Sequence, residues 1–376
     1  MDRITRRAYK LADGRDLIYF DDADTTLGPE RGPDLREPAV RPPTATMRQD
    51  VLTGEWISIA AARQNRVVLP PSHLDPLAPA SPDNPSEIPS RYDVAVFENK
   101  SPSFGPGLVG PGDSGPGAPE GLDDLARIGL GRSRQSVGRC EVVCFSPEHT
   151  GSLAGVTLSR MRTVVEAWAD RTAALSALPG VEQVFPFENR GEAIGVTLHH
   201  PHGQIYAYPY ITPRTAQLIR TIGTYGGTLF EDILSFEQQS GRVLLRGEHW
   251  TAFVPFAARW PLEVHMLPHR HVPDLAATTG EERDEFSRLY GRLLRGVDAL
   301  YSTPTPYISA WHQAPVNVHR DDVRLMLQLT SPRREENKLK YLAGSEAAMG
   351  AFIADIPPET AAARLRAAID KEEAVA

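Results

Sequence analysis

Residues 187–210 read FENRGEAIGVTLHHPHGQIYAYPY: the end of one strand, a glycine-containing turn, and a second strand with alternating pattern. Successive side chains of an extended chain alternate between faces, so His200, His202 and Gln204 point one way and His199 the other. One face therefore carries two imidazoles and an amide in a row. Such a row suits a metal ion, a phosphate, or an imidazole nucleophile positioned by its neighbours. A nucleophilic histidine has to be neutral, with its second nitrogen held as a donor, often to a carbonyl.

Working outward, GRCEVVCFS (138–146) reads as a strand and LSRMRTVVEAWADRTAALSAL (158–178) as a helix. Further on, EHWTAFVPFAARWPLEVHMLPHRHV (248–272) reads as a hairpin and EERDEFSRLYGRLLRGVDALY (281–301) as an amphipathic helix. PYISAWHQAP (306–315) and DVRLMLQLTS (322–331) follow as strands. The order of strand pair, helix and strand pair thus occurs twice, which predicts an α+β fold, internally duplicated, with antiparallel sheets flanked by helices. The break is expected near Pro213, giving an arm over residues 1–45 and halves over 46–213 and 214–376. The arm is charged and Pro-rich, with one short strand expected at LIYF (17–20) and the ordered core expected to start later. VLTGEWISIA (51–60) is a turn and a strand, and Arg63 and Arg66 follow it. The prolines of LPPSHLDPLAPASPDNPSEIP (69–89) enforce an extended surface loop, and a second loop, SFGPGLVGPGDSGPGAPEG (103–121), is rich in Gly and Pro.

With 376 residues, 41% of them hydrophobic and 23% charged, the chain can bury a sizeable core. Forty basic residues against 48 acidic ones give a net charge of -8, which opposes a broad hold on nucleic acid or an anionic membrane. The opening stretch MDRITRRAYKLADGRDLIYFDD lacks an apolar run, and no segment approaches the ~20 apolar residues of a membrane span. A cytoplasmic protein is expected. Cys140 and Cys144, the two cysteines, lie four strand residues apart, roughly 13 Å, too far for a disulfide or a shared tetrahedral zinc. They are expected to act as small hydrophobes.

The segment 187–210 closely resembles the active-site region of galactose-1-phosphate uridylyltransferases, a branch of the histidine-triad superfamily. The resemblance extends in the family's order through LTGEWISIAAARQNR (52–66), VFENKSPSF (96–104), CFSPEH (144–149) and PLEVHMLPHRHV (261–272). It continues through AWHQAP (310–315), KYLAGSE (340–346) and DIPPETAAARLR (355–366). It implies that His202 attacks UDP-glucose to form a uridylyl-imidazole, which galactose 1-phosphate then discharges. The chemistry so implied requires no cofactor. Gln204 falls where histidine-triad hydrolases carry a third histidine; a neutral amide donates to a phosphoryl oxygen and cannot serve as base for water. By the same resemblance Asn189, Gly195 and Thr197 contact phosphate and ribose, Phe97 and Asn99 belong to the uridine pocket, and Arg63 and Arg66 face the sugar phosphate. Lys340, Tyr341 and Glu346 resemble a segment inserted into a neighbouring subunit's site, which implies a homodimer.

Family members with a zinc site draw it from two cysteines in a Pro-rich loop and two histidines. Here Asp75 and Ala78 stand at the cysteine positions while His149 and His200 remain, an incomplete set for a structural zinc. Weak or absent zinc is expected, with His200 acting by packing and hydrogen bonding. Of a second family metal site only His312 is matched, since Met326, Gln328 and Leu218 take the other positions. His265, His269 and His271 are not expected to bind metal, because Pro268 interrupts their strand. Two other functions compete: an ADP-sugar or dinucleoside-polyphosphate phosphorylase using an adenylyl-histidine, and a non-catalytic nucleotide-sugar binding or metal-storage protein. Intact His202 and Gln204 and the degraded metal ligands oppose the second.

Overall fold

The computed structural model describes residues 4–38, 41, 44–65, 68–106 and 128–375. Arg66 and residues 107–121 of the second loop lie outside them. The chain runs through β1 (Thr5–Lys10), β2 (Asp16–Asp21), β3 (Thr46–Gln49), β4 (Trp56–Ile59), β5 (Val94–Glu98), β6 (Ser133–Gln135) and β7 (Arg139–Cys144). Helix α1 (Leu158–Ser176), β8 (Gln183–Arg190) and β9 (His202–Tyr208) complete the first half. The second consists of α2 (Pro213–Tyr225), α3 (Leu229–Gln238), β10 (Val243–Arg246), β11 (Trp250–Phe253), β12 (Leu262–Pro268) and α4 (Gly280–Asp298). It ends with β13 (Tyr307–His312), β14 (Met326–Ser331), the short α5 (Gly344–Met349) and α6 (Pro358–Val375).

Among the described residues eleven strands form one sheet in the order β1-β2-β5-β7-β9-β8-β13-β14-β12-β11-β10, antiparallel throughout. The order β5-β7-β9-β8 is mirrored by β11-β12-β14-β13, and the two series meet where β8 pairs with β13, Asn189 opposite Ile308. The amino-terminal stretch departs from its reading as an arm. It contributes two strands, β1 and β2, and Leu17, Ile18, Tyr19 and Phe20 are buried. Its charge misleads because β1 is an edge strand with polar residues facing water, while Asp21 is neutralised by Arg7 and Arg31. Cys140 and Cys144 are buried in β7 and share no disulfide, in keeping with small hydrophobes in a strand.

Helices α1 and α4 cover one face of the sheet. Thr157 caps α1 by accepting from Arg160 N at 3.1 Å, and Thr279 and Glu282 form a capping box at α4. Trp311 on β13 joins the halves: its ring lies 6.1 Å from Trp168 on α1, 6.2 Å from Trp250 on β11 and 4.7 Å from Phe286 on α4. Truncating a tryptophan so buried costs about 3–5 kcal/mol. Arg171 fastens α1 to β7 through a bidentate pair with Glu141, both bonds 2.9 Å. Among the described residues no helix is long and apolar enough to cross a membrane.

Along β9 the alternation is strict. Gly203, Ile205 and Ala207 are buried toward the helices, while His202, Gln204, Tyr206 and Tyr208 are half-buried on the other face. Gly203 has no room for a side chain, since a Cβ would lie 2.8 Å from Phe145 Cζ and 2.9 Å from the Phe187 carbonyl oxygen. Gly203→Ala is expected to lower stability by about 1–3 kcal/mol through this overpacking. Urea unfolding checks it, and an unchanged midpoint would mean that the strand absorbs the methyl freely.

Candidate active site

His202 opens β9, opposite Cys144 of β7, and Gln204 follows on the same face between Val142 of β7 and Phe187 of β8. Local chain direction fixes the imidazole: Nδ1 of His202 donates to the carbonyl oxygen of His200 at 2.7 Å. That bond selects the tautomer, so in the neutral ring the lone pair lies on Nε2.

His200 itself precedes the strand and is buried. Its Nδ1 lies 2.7 Å from Asp75 Oδ2, and its Nε2 lies 2.7 Å from the Ser146 carbonyl oxygen and 3.0 Å from Tyr92 Oη. The same Asp75 oxygen accepts from His149 Nδ1 at 2.9 Å. Asp75, His149 and His200 thus form a group that could hold a metal ion, with one ligand atom each and all within 4.8 Å of one another. Burial raises the Asp75 pKa, but hydrogen bonds from His200, the Leu77 amide and His149 outweigh it, and the carboxyl is held down at about 2. Tyr92 and Ser146, which complete this cluster, carry no sequence signal of their own.

On the other flank of β9, Asn189, Gly191 and His199 line a narrow cleft of about 60 Å³ together with His202. The end of β8 is held by Arg190, which forms a salt bridge with Asp298 and stacks over Tyr307. Beneath it Glu188 is buried toward α4 and accepts from Tyr307 Oη at 3.0 Å. Burial pushes its carboxyl up to about 7, against the opposing Tyr307 hydrogen bond. A wider groove of about 1070 Å³ lies between the amino-terminal strands and the helices, on the opposite side of the sheet. Its Arg6 and Arg162 are engaged by Asp170 and Asp284.

The other expected residues are scattered more widely. Phe97 on β5 is buried opposite Val142, the same residue that pairs with Gln204. Asn99 lies two residues on, just past the end of β5, its side chain accepting from Ser101 N. Arg63 reaches the Ser101 carbonyl at 3.4 Å from a 3-10 turn. Gly195 takes the left-handed conformation, φ 80°, in the β8–β9 turn, where Thr197 O accepts from Leu69 N. Lys340 and Glu346 bond to each other at 2.9 Å, and Tyr341 between them is 75% exposed. None of these three lines the His202 cleft. His312, His265 and Glu263 surround the Gln328 amide, and Leu218 packs in an apolar cluster beside α2 and α3. His269 and His271 turn to different partners, Glu248 O and Arg320 O.

The chain matches the family described as galactose-1-phosphate uridyl transferase, N-terminal domain, over residues 125–212, and its C-terminal domain over residues 215–375. A galactose-1-phosphate uridylyltransferase of Streptomyces lividans is 42% identical over 97% of this chain and 98% of its own. One of Thermotoga maritima is 34% identical over 85% of this chain and 97% of its own. A solved uridylyltransferase structure superposes with a TM-score of 0.74 at 28% identity, covering 87% of this chain and 99% of that one.

The raised Glu188 pKa has a definite sign in stability. Below about 4.5 the carboxyl is neutral both folded and unfolded; as pH rises through about 7 it ionises while buried, and stability falls. Glu188→Gln keeps an acceptor for Tyr307 without this loss. Its melting temperature is expected to exceed that of the native protein at pH 8, with the gain fading toward pH ~4.5. A gain independent of pH in calorimetric scans would contradict this account.

Proposed function

The chain belongs to the galactose-1-phosphate uridylyltransferase family and is a transferase that exchanges UMP between UDP-glucose and galactose 1-phosphate, and from that premise we propose that His202 is its nucleophile. The observation that carries this reading is the 2.7 Å bond from His202 Nδ1 to the His200 carbonyl, which sets the tautomer before substrate arrives. Nε2 attacks the α-phosphorus of UDP-glucose, the bond from phosphorus to the bridging oxygen breaks, and glucose 1-phosphate leaves with the electron pair. A phosphate oxygen of galactose 1-phosphate then attacks the same phosphorus, the P–N bond breaks, and UDP-galactose leaves with the ring restored. One displacement between two bulky anions becomes two at a fixed phosphorus, so the kinetics are ping-pong.

Gln204 shares the face of His202, where its amide donates to a phosphoryl oxygen and offers water no base. Asn189, Gly195 and Thr197 serve phosphate and ribose, a role supported by Asn189 lining the cleft beside His202. Phe97 and Asn99 serve uridine, supported by the row Phe97, Val142, Gln204 across three strands. Arg63 and Arg66 serve the sugar phosphate. The two halves divide near Pro213, where α2 begins. The chemistry needs no cofactor, and a cytoplasmic site of action fits substrates whose phosphates cannot cross a bilayer. Adenylyl transfer and a non-catalytic role are not favoured by the relatives, which are uridylyltransferases.

The working unit is a homodimer in this reading. Lys340, Tyr341 and Glu346 lie on an arm whose Tyr341, Met349 and Ile353 are exposed, and they do not line their own protomer's cleft.

Intact-protein mass spectrometry after mixing with UDP-glucose is expected to show one uridylyl group on the native protein, none on His202→Ala, and discharge by galactose 1-phosphate. An adduct on the variant would place the nucleophile elsewhere. Gln204→His is expected to speed hydrolysis of the adduct in water; an unchanged lifetime would count against the amide's role. Mixing inactive His202→Ala and Glu346→Ala chains with subunit exchange should restore up to about a quarter of native activity, since half of the dimers then carry one complete site. No recovery, with exchange demonstrated, would remove the shared-site arrangement.

A further inference from the structure

Around Asp75 the polarity is the reverse of a metal centre. Metal ligation needs nitrogen lone pairs aimed at a cation. Here His149 Nδ1 and His200 Nδ1 aim at one carboxylate oxygen, at 2.9 and 2.7 Å, contacts that need a hydrogen on each nitrogen. The far nitrogen of His200 is taken too. It lies 2.7 Å from the Ser146 carbonyl, which can only accept, while the Tyr92 hydroxyl lies 2.7 Å from Leu77 O and 2.8 Å from Ser146 O, both acceptors for its hydrogen. Asp75 Oδ1 accepts from Leu77 N at 2.9 Å, and Asp75 O accepts from Asn84 Nδ2 at 2.8 Å, tying down the proline-rich loop. A closed structural zinc takes four protein ligands, and residue 78 is alanine. As arranged, the donor set fits an anion at its centre better than a zinc ion.

We propose that Asp75 is a positioning residue for uridylyl transfer: its carboxylate, in place of a metal ion, clasps His149 and His200 and thereby fixes the carbonyl that orients His202. The route is short. The His200 ring is pinned at both nitrogens, its own carbonyl accepts from His202 Nδ1, and only Pro201 separates the two histidines. Proline adds its fixed φ to that link. Without the clasp the His200 ring keeps only its contacts at Nε2, so the carbonyl that aims the His202 Nε2 lone pair at the phosphorus is held less firmly. Orientation of that kind acts on the chemical step more than on the binding of either sugar phosphate.

The inference rests on His202 being the nucleophile, so the experiment separates the two. Native protein, Asp75→Asn and His202→Ala are compared for metal content by elemental mass spectrometry after dialysis against EDTA, for kcat and KM, and for adduct formation. Imidazole nitrogens of the native protein are assigned by NMR with ¹⁵N-labelled histidine, a readout that survives if the variant folds poorly. Expected are native activity retained without bound metal and hydrogens on both Nδ1 atoms of His149 and His200. Asp75→Asn should lower kcat about 10- to 100-fold with KM for galactose 1-phosphate nearly unchanged. One equivalent of zinc that resists dialysis and whose removal abolishes activity would overturn the proposal. So would a bare Nδ1 on either histidine, or native kcat in Asp75→Asn. Adduct formation by His202→Ala would instead overturn the assignment of the nucleophile, leaving the metal content and the imidazole assignments to judge the clasp alone.

Discussion

The register of β9 between β7 and β8 is the constraint on which the site depends. Both edges of β9 are bonded, with His202 opposite Cys144 and Gln204 opposite Phe187. Because side chains alternate with a period of two, a slip by one residue would turn His202 and Gln204 into the helix-covered core and bring Ile205 to the open face. Both faces resist such a slip. Toward the helices Gly203 fits against Phe145, and Ile205 and Ala207 join the core; on the open face Tyr206 and Tyr208 pack edge-on against Phe104. The register is held by shape on one side and aromatic contact on the other.

Reactivity adds a finer requirement, the orientation of one ring. A strand places a side chain on a face but leaves its rotamer open. The His200 carbonyl removes that freedom, and the residues around His200 hold the carbonyl in turn. The site is therefore built in layers: sheet pairing sets the face, the backbone acceptor sets the tautomer, and buried groups beyond the strand set the acceptor. The net charge of -8 is no obstacle to anionic substrates on this scale, since the local groups act at hydrogen-bond distance.

Duplication shows what the second half lacks. In the mirrored sheet order, Met326 and Gln328 at the start of β14 correspond to His202 and Gln204 at the start of β9. The amide is kept and the imidazole is not. Gln328 is drawn into a buried network with Glu263, His265 and His312, where burial and the nearby Arg214 push the His312 pKa down to about 3. One half offers a histidine beside a cleft, while the other uses the equivalent face to close its own interior.

Alternation, helical periodicity and capping are local properties, so the sequence alone determined the α1 and α4 helices, the strands around them, and the shared face of His202 and Gln204. Quoted motifs from residue 52 onward also carried the family. Local pattern failed where residues far apart decide the outcome. The charged amino-terminal stretch gave no sign that β2 would pair with β5, because its apolar run LIYF is flanked by charges whose partners come from elsewhere in the fold. The resemblance already grouped Asp75 with His149 and His200, 74 and 125 residues away, but the way one Asp75 oxygen takes both Nδ1 atoms was not legible. Nor was the joining of the halves into one sheet through β8 and β13. These contacts follow from sheet order and from which buried donors need acceptors, and only the assembled tertiary structure fixes both.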